Sequence, residues 1–227
     1  MDKERTPYRP FLGILPELKY VAFIDILGFK NSVQNNFDKM ITVYQSILNH
    51  WNWHYAYSPN VSLRIYSDSL LLCSSDFVEL ISSIVNLCMV TLWDNFMVRG
   101  GIGYGKHMEV VESGNYYTLS HALIEAVQIE KTIMYPCVAI SPKINIDIGW
   151  WDPRPSNFLR KILYFEDVII VNPFNMAWGY SARSRVLMLL EQFPEYKEKY
   201  HWFLRLYEAV TSDEPLIPHW VIEQYGH

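Results

Sequence analysis

Two aspartates stand where an acidic side chain is costly. Asp25 interrupts the apolar run of residues 20–27 (YVAFIDIL), and Asp68 separates two β-prone segments, VSLRIYS (61–67) and SLLLCS (69–74). A carboxylate in apolar surroundings stays charged only if it is paired, hydrogen-bonded or bound to a metal. Two that converge offer an all-oxygen ligand set of the kind Mg²⁺ and Mn²⁺ prefer, and a pair of such ions suits in-line displacement at phosphorus. Either aspartate alone would read as a helix cap or a turn residue. Whether they converge depends on the elements that carry them.

Residues 20–27 have the near-continuous apolar pattern of a buried strand, ended by Gly28. Apolar residues at helical spacing (Phe37, Met40, Ile41, Tyr44, Ile47, Leu48, Trp51) then predict one long helix over 31–57, stopped by Pro59 and Asn60. Residues 61–74 predict a hairpin whose turn is centred on Asp68. Asp76, with Glu79 three residues on, predicts the start of a helix to about Asn95, and MVRGGIGYGKH (97–107) a strand with glycines at alternate positions. The order is βαββαβ, a ferredoxin-like α+β core. In such a split βαβ unit the second strand of the hairpin lies between two parallel strands, which brings Asp25 and Asp68 to one sheet edge. Leu27, Gly28 and Phe29 form the strand-to-helix turn, where free N–H groups can meet a polyphosphate that Gly28 allows to approach closely.

Downstream, 119–134 reads as helical, 137–140 as a strand and 162–171 as another apolar run. A helical pair follows (SARSRVLMLLEQF, then EYKEKYHWFLRLYEAV) with Pro194 between its members. The expected division is an irregular lead-in at 1–17 containing Pro7, Pro10 and Pro16, a core domain at 18–172, and a C-terminal helical extension at 173–227 that covers the core or meets a partner.

Composition narrows the functional classes. The 227 residues are 50% hydrophobic and 19% charged, and 19 Lys and Arg against 24 Asp and Glu leave a net charge of −5. That balance predicts a globular chain without the basic footprint of a nucleic-acid binder. Cys73, Cys88 and Cys137 show neither disulfide-framework nor zinc spacing and read as reduced, buried thiols. The charged, proline-bearing start lacks a secretory h-region, and the apolar stretch 80–93 is shorter than the roughly 18 to 20 residues that cross a bilayer, so a cytoplasmic protein without a membrane span is expected.

The motifs together resemble a known family. Residues 23–29 (FIDILGF) are similar to the Phe-x-Asp-Ile-x-Gly-Phe signature of class III nucleotide cyclases, YSDS (66–69) to their second-aspartate hairpin, and RGGIG (99–103) to their glycine-rich fourth strand. Within that class, FIDILGF, YSDSLLL, RGGIGYG and ALIEAVQIEK most resemble the bacterial Pycsar pyrimidine cyclases. The resemblance implies that Asp25 and Asp68, with the carbonyl of Ile26, hold two divalent ions, Mn²⁺ or Mg²⁺. It further implies that UTP or CTP is cyclised with release of pyrophosphate, that the sites form between the subunits of a homodimer, and that the product is read by a separate receptor effector in anti-phage defence. Arg64 falls where purine cyclases of the class carry a base-reading Lys, and Tyr117 where they carry an Asp. An Arg fork can donate to uracil or cytosine oxygens but cannot accept from adenine's amino group. Tyr66 and Tyr117 are positioned to border the base.

Other features depart from the pattern. The same alignment puts Ser120 at a usual Gly, Ile124 at the usual transition-state Asn and Gln128 at the usual Arg, so neither Ile124 nor Gln128 supplies the family's charge stabilisation. A degenerate, binding-only domain and a purine cyclase with an unusual pocket are therefore the competing readings. His50 and His54 have zinc-like spacing, but no third ligand is evident and ordinary packing is the simpler reading. Gly100, Gly101, Gly103 and Gly105 lack P-loop order and read as close strand-to-helix packing.

Overall fold

The computed structural model describes residues 15–152, 154–174 and 179–225. The prolines at 7 and 10 in the expected lead-in lie outside that range. Strand β1 (Glu17–Leu27) is the axis of the molecule, paired antiparallel with β3 (Ser69–Ser74) on one side and β4 (Met97–Glu112) on the other. Strand β2 (Ser62–Tyr66) pairs with β3, so β3 lies between β1 and β2 as the βαββαβ pattern requires. The sheet continues through β6 (Val138–Ile140), β8 (Val168–Val171) and β7 (Ile162–Phe165), while β5 (Asn115–Ser120) folds back on β4. The α+β class expected from sequence is the one observed.

Alternation along the strands sorts side chains to two faces. Ala22, Ile24, Leu70, Leu72 and Ile102 are fully buried beneath α2 (Phe37–Tyr55) and α3 (Phe77–Trp93), against Met40, Val43, Ile47, Leu80 and Ile84. Each of the buried Leu, Ile, Val and Met side chains contributes about 2 kcal/mol. The opposite face carries Val21, Leu71 and Cys73 against Ala122 of α4 (His121–Thr132). Gly101 and Gly103 lie under that helix. A Cβ on Gly101 would meet the Ala126 carbonyl oxygen at 2.4 Å, and one on Gly103 the Ala122 carbonyl oxygen at 2.3 Å. The alternate glycines are thus packing residues, as expected. Helices α5 (Gly179–Gln192) and α6 (Lys197–Thr211) join Leu163, Ile170, Met97 and Phe174 in a second core that is continuous with the sheet. A short helix, α7 (His219–Tyr225), closes the described chain. No helix among the described residues is long and apolar enough to cross a membrane.

Three local expectations are corrected. The first helix is two helices, α1 (Phe29–Asn35) and α2, broken at Asn36, whose side chain accepts from Lys39 N and caps α2 at the start of its acidic first turn. The region from 115 to 120 is strand β5: Ser113 and Gly114 take positive φ and turn the chain back, so α4 begins two residues later than predicted. The apolar run 162–171 is a hairpin turning at Glu166 and Asp167, both at positive φ without a glycine to announce them.

Candidate active site

Strand β1 ends at Leu27, and Gly28 follows at φ 82°, a left-handed conformation that lets the chain turn sharply into α1. No atom lies within 4 Å of where its Cβ would be, so the glycine serves conformation and access. The β2–β3 turn arrives beside it. Ser67 adopts positive φ, its carbonyl accepts from the Tyr44 hydroxyl, and the backbone N–H of Ile26 donates to the Asp68 carbonyl at 2.9 Å. These bonds lock the turn to the end of β1. Asp25 and Asp68 consequently flank one open cleft of about 290 Å³, walled also by Ile26, Gly28, Phe29, Lys30 and Tyr196. The Ile26 and Phe29 side chains are buried in the core.

Crowding shows in the chemistry of Asp25. Burial first, and then the charge of Asp68, push its carboxyl up to about 6, with Arg99 and Lys199 opposing and Glu130 adding to the rise. Arg99 faces Asp25 across the β1–β4 ladder. Its Nη2 lies 3.8 Å from Asp25 Oδ2 and 2.5 Å from Oε1 of Glu130, a carboxylate buried on α4. Its Nε is buried without a hydrogen-bond partner. Two carboxylates that repel one another beside a guanidinium shared with a third form a site that a divalent cation would relieve. Asp25, Asp68 and the Ile26 backbone fit an oxygen-seeking ion of the Mg²⁺ or Mn²⁺ kind. Arg99, Glu130, Tyr196 and Lys199 were missed from the sequence. Of these, the position of Arg99 was recoverable, because β4 antiparallel to β1 puts it opposite Asp25.

Arg64, Tyr66 and Tyr117 do not line that cleft. Arg64 points to the α4 side of the sheet, where both Nη atoms form a bidentate ion pair with Glu109 of β4, Nη2 also donates to Tyr116 Oη at 2.8 Å, and the guanidinium stacks on the Tyr116 ring. Burial would raise the Glu109 carboxyl, but His107 and Arg64 hold it at about 2. His107 is fully buried. Its Nε2 is 2.8 Å from Glu109 Oε1 without hydrogen-bond alignment, and its Nδ1 is unpartnered. Cys73, His107 and Glu109 bring donor atoms within 4.8 Å of one another, types that Zn²⁺ accepts. Both Glu109 oxygens are already held by Arg64, and the Cys73 thiol is pushed up to about 12 by burial and then by Glu109. The guanidinium supplies the positive charge there, and the trio is an ion-paired network.

His54, Ser120, Ile124 and Gln128 do not line the cleft either. His54 is buried, with Nε2 3.1 Å from the hydroxyls of Ser58 and Ser83 and Nδ1 3.2 Å from Asn86 Nδ2. Ile124 and Gln128 are exposed one turn apart on α4, and Ser120 caps that helix by accepting from Leu123 N.

No family model matches the chain, and no curated protein matches it. Among solved structures, it is similar to the dimeric guanylyl cyclase domain of the RhoGC fusion protein from the aquatic fungus Blastocladiella emersonii, at 16% identity and TM-score 0.47 over 56% of this chain and 79% of that one. The adenylyl cyclase CyaB from P. aeruginosa gives 13% identity and TM-score 0.45 over 58% and 80%. The guanylyl cyclase Cya2 gives 10% and 0.47 over 70% and 93%.

Proposed function

We propose that this chain is a metal-dependent nucleotide cyclase that converts UTP, with CTP close behind, to the 3′,5′-cyclic monophosphate and pyrophosphate. The observation that carries the reading is the meeting of Asp25 and Asp68 at one cleft, with the Asp25 carboxyl raised to about 6. In the reaction the ribose 3′-oxygen bonds to the α-phosphorus, the bond from that phosphorus to the bridging oxygen breaks, and the 3′ proton is lost. Divalent cations held by Asp25, Asp68 and the Ile26 carbonyl would supply an acidified 3′-hydroxyl and charge neutralisation for the phosphates. Gly28, between Leu27 and Phe29, leaves the backbone open to the phosphates, and Arg99 keeps Asp25 oriented from the sheet.

The active unit in this reading is a homodimer in which Arg64, Tyr66 and Tyr117 of one subunit meet the base held over the aspartates of the other. Their position outside their own chain's cleft supports it, as does the exposed apolar surface that Tyr117 and Leu119 share on one face of β5. The motif resemblance extends the proposal to a cytoplasmic anti-phage signal read by a separate cyclic-nucleotide receptor. A binding-only domain is the second reading, favoured by the exposed Ile124 and Gln128, which offer no charged donor.

Incubation of the purified chain with each of the four ribonucleoside triphosphates and Mn²⁺, followed by separation of products, tests these readings. Cyclic UMP or cyclic CMP is expected. Cyclic AMP or GMP as main product would overturn the pyrimidine assignment, and metal-dependent binding with no cyclic product would establish the second reading.

A further inference from the structure

The C-terminal helices reach the aspartate cleft. A second cavity of about 70 Å³ adjoins it, and Gly28, Asn31 and Tyr196 wall both; the added lining includes Lys199 and Tyr200 of α6 and Lys39 of α2. Lys199 is partly buried, and its ammonium lies 5.6 Å from the centre of the Tyr196 ring. Among the described residues no carboxylate comes within 4 Å of it. The charges acting on it are Arg99, which like burial disfavours its protonated form, and Asp25, which favours it. A partly buried cation on a cavity wall, with no paired counter-ion among the described residues, is an arrangement that folding alone does not reward. An incoming anion would relieve it.

Resting on the cyclase reading, we infer that Lys199 binds the polyphosphate end of the nucleotide, making the C-terminal helices part of the nucleotide site. The ligand class follows from what surrounds the lysine. Asp25 and Asp68 next door suit a metal-chelated anion, and Lys30 on the cleft wall adds a further cation. A multiply charged phosphate chain would suit both: it carries oxygens for a metal that Asp25 and Asp68 would hold, and others that would accept from the ammonium. The same contact holds pyrophosphate as it departs, so Lys199 acts on substrate affinity and on product inhibition together.

The test titrates inorganic tripolyphosphate with Mn²⁺ into the full-length protein, its Lys199→Met and Lys199→Arg variants, and Lys197→Met as a control on an exposed lysine of the same helix. Lys199→Met keeps the aliphatic stem and should weaken binding at least tenfold with the melting temperature unchanged. Lys199→Arg should restore most of the affinity, and Lys197→Met should bind as wild type. In turnover, Lys199→Met should raise KM for the triphosphate and relieve inhibition by pyrophosphate. Unchanged tripolyphosphate affinity in Lys199→Met, in a protein that still cyclises nucleotides, would overturn the inference and leave the cyclase reading standing. Lys199-dependent tripolyphosphate binding in a protein that forms no cyclic product would uphold the polyphosphate site and remove the cyclase.

Discussion

Replacing Asp25 by Asn should stabilise the metal-free protein while abolishing its response to metal. The difference between about 6 and the ordinary 3.8 for the Asp25 carboxyl, at about 1.36 kcal/mol per pH unit, sets a ceiling of about 3 kcal/mol on the cost of keeping it charged in the fold. A side chain about a quarter exposed is partly screened, so about 1 kcal/mol is the expected gain. Because the folded carboxyl binds its proton more tightly than the unfolded one, the stability it contributes is fully present below pH 4. That contribution is lost as the pH rises through 6. Wild-type melting temperature should therefore fall between pH 4 and pH 7 relative to Asp25→Asn. Saturating Mn²⁺ should raise the wild-type value, most strongly above pH 6 where the carboxylate is available, and leave Asp25→Asn unmoved. Metal binding titrated at pH 6 should release about half a proton from Asp25. Thermal melts across pH with and without Mn²⁺ read all of this. A variant that melts lower than wild type at pH 8, or one that Mn²⁺ still stabilises, would refute the placement of a strained, metal-seeking carboxylate at this position.

Three further substitutions probe the same arrangement. Asp68→Asn removes the charge that adds to burial in raising Asp25, so the Asp25 carboxyl should titrate lower, visible by NMR, while turnover is lost; an unmoved titration would mean the two groups do not sense each other. Arg64→Ala should broaden the product spectrum with a stability cost of about 1 to 3 kcal/mol from the stranded Glu109, and pairing it with Glu109→Gln should recover much of that stability but not the selectivity. An unchanged spectrum would remove Arg64 from base reading. Gly101→Ala drives a Cβ into the Ala126 carbonyl and should cost about 1 to 3 kcal/mol in denaturant unfolding; a neutral effect would mean α4 does not sit tightly on β4.

The parts of the site that the sequence made legible are those written in local pattern. A lone aspartate in an eight-residue apolar run, a glycine after it and an aspartate between two β-prone segments fix the strand, the sharp exit and the hairpin. The βαββαβ order then fixes their adjacency. What stayed hidden depends on contacts distant in sequence or on conformations without a signature. Strand β5 carries no marked alternation, so 115–118 reads as no element and its last two residues, Leu119 and Ser120, read as the start of the helix, and the turn at Glu166 and Asp167 has no glycine. Glu130 is charged yet buried on a helix that otherwise reads as amphipathic, and only Arg99 above it explains why. Lys199 sits in a strongly charged stretch that looks like a solvated helix face. Its role follows from the packing of α6 against the second core, which puts Lys199 and Tyr200 on the wall of a cavity that Gly28 also lines.

The two charged clusters of the α4-side face differ in how completely their charges are paired, and that difference points to where a ligand belongs. Around Arg64 the charges match one to one, a fork on a carboxylate with a tyrosine hydroxyl on the remaining Nη2 hydrogen and a ring beneath, and what is left unpaired there is the His107 ring beside Glu109. Around Asp25 they do not. One guanidinium is shared between two carboxylates, a second aspartate adds repulsion, an Nε is orphaned, and an ammonium that has no ion-pair partner among the described residues feels the guanidinium as well as Asp25. Charges of both signs left mismatched in a folded cleft cost stability, and the complete cores on either side allow the fold to carry that cost. A metal-chelated polyphosphate, which brings cation and anion together, corrects both mismatches at once. A base meeting Arg64 must instead compete with Glu109 for the same donors, so selectivity is a property of the Arg64–Glu109 pair, and the double variant reports it more directly than either single substitution.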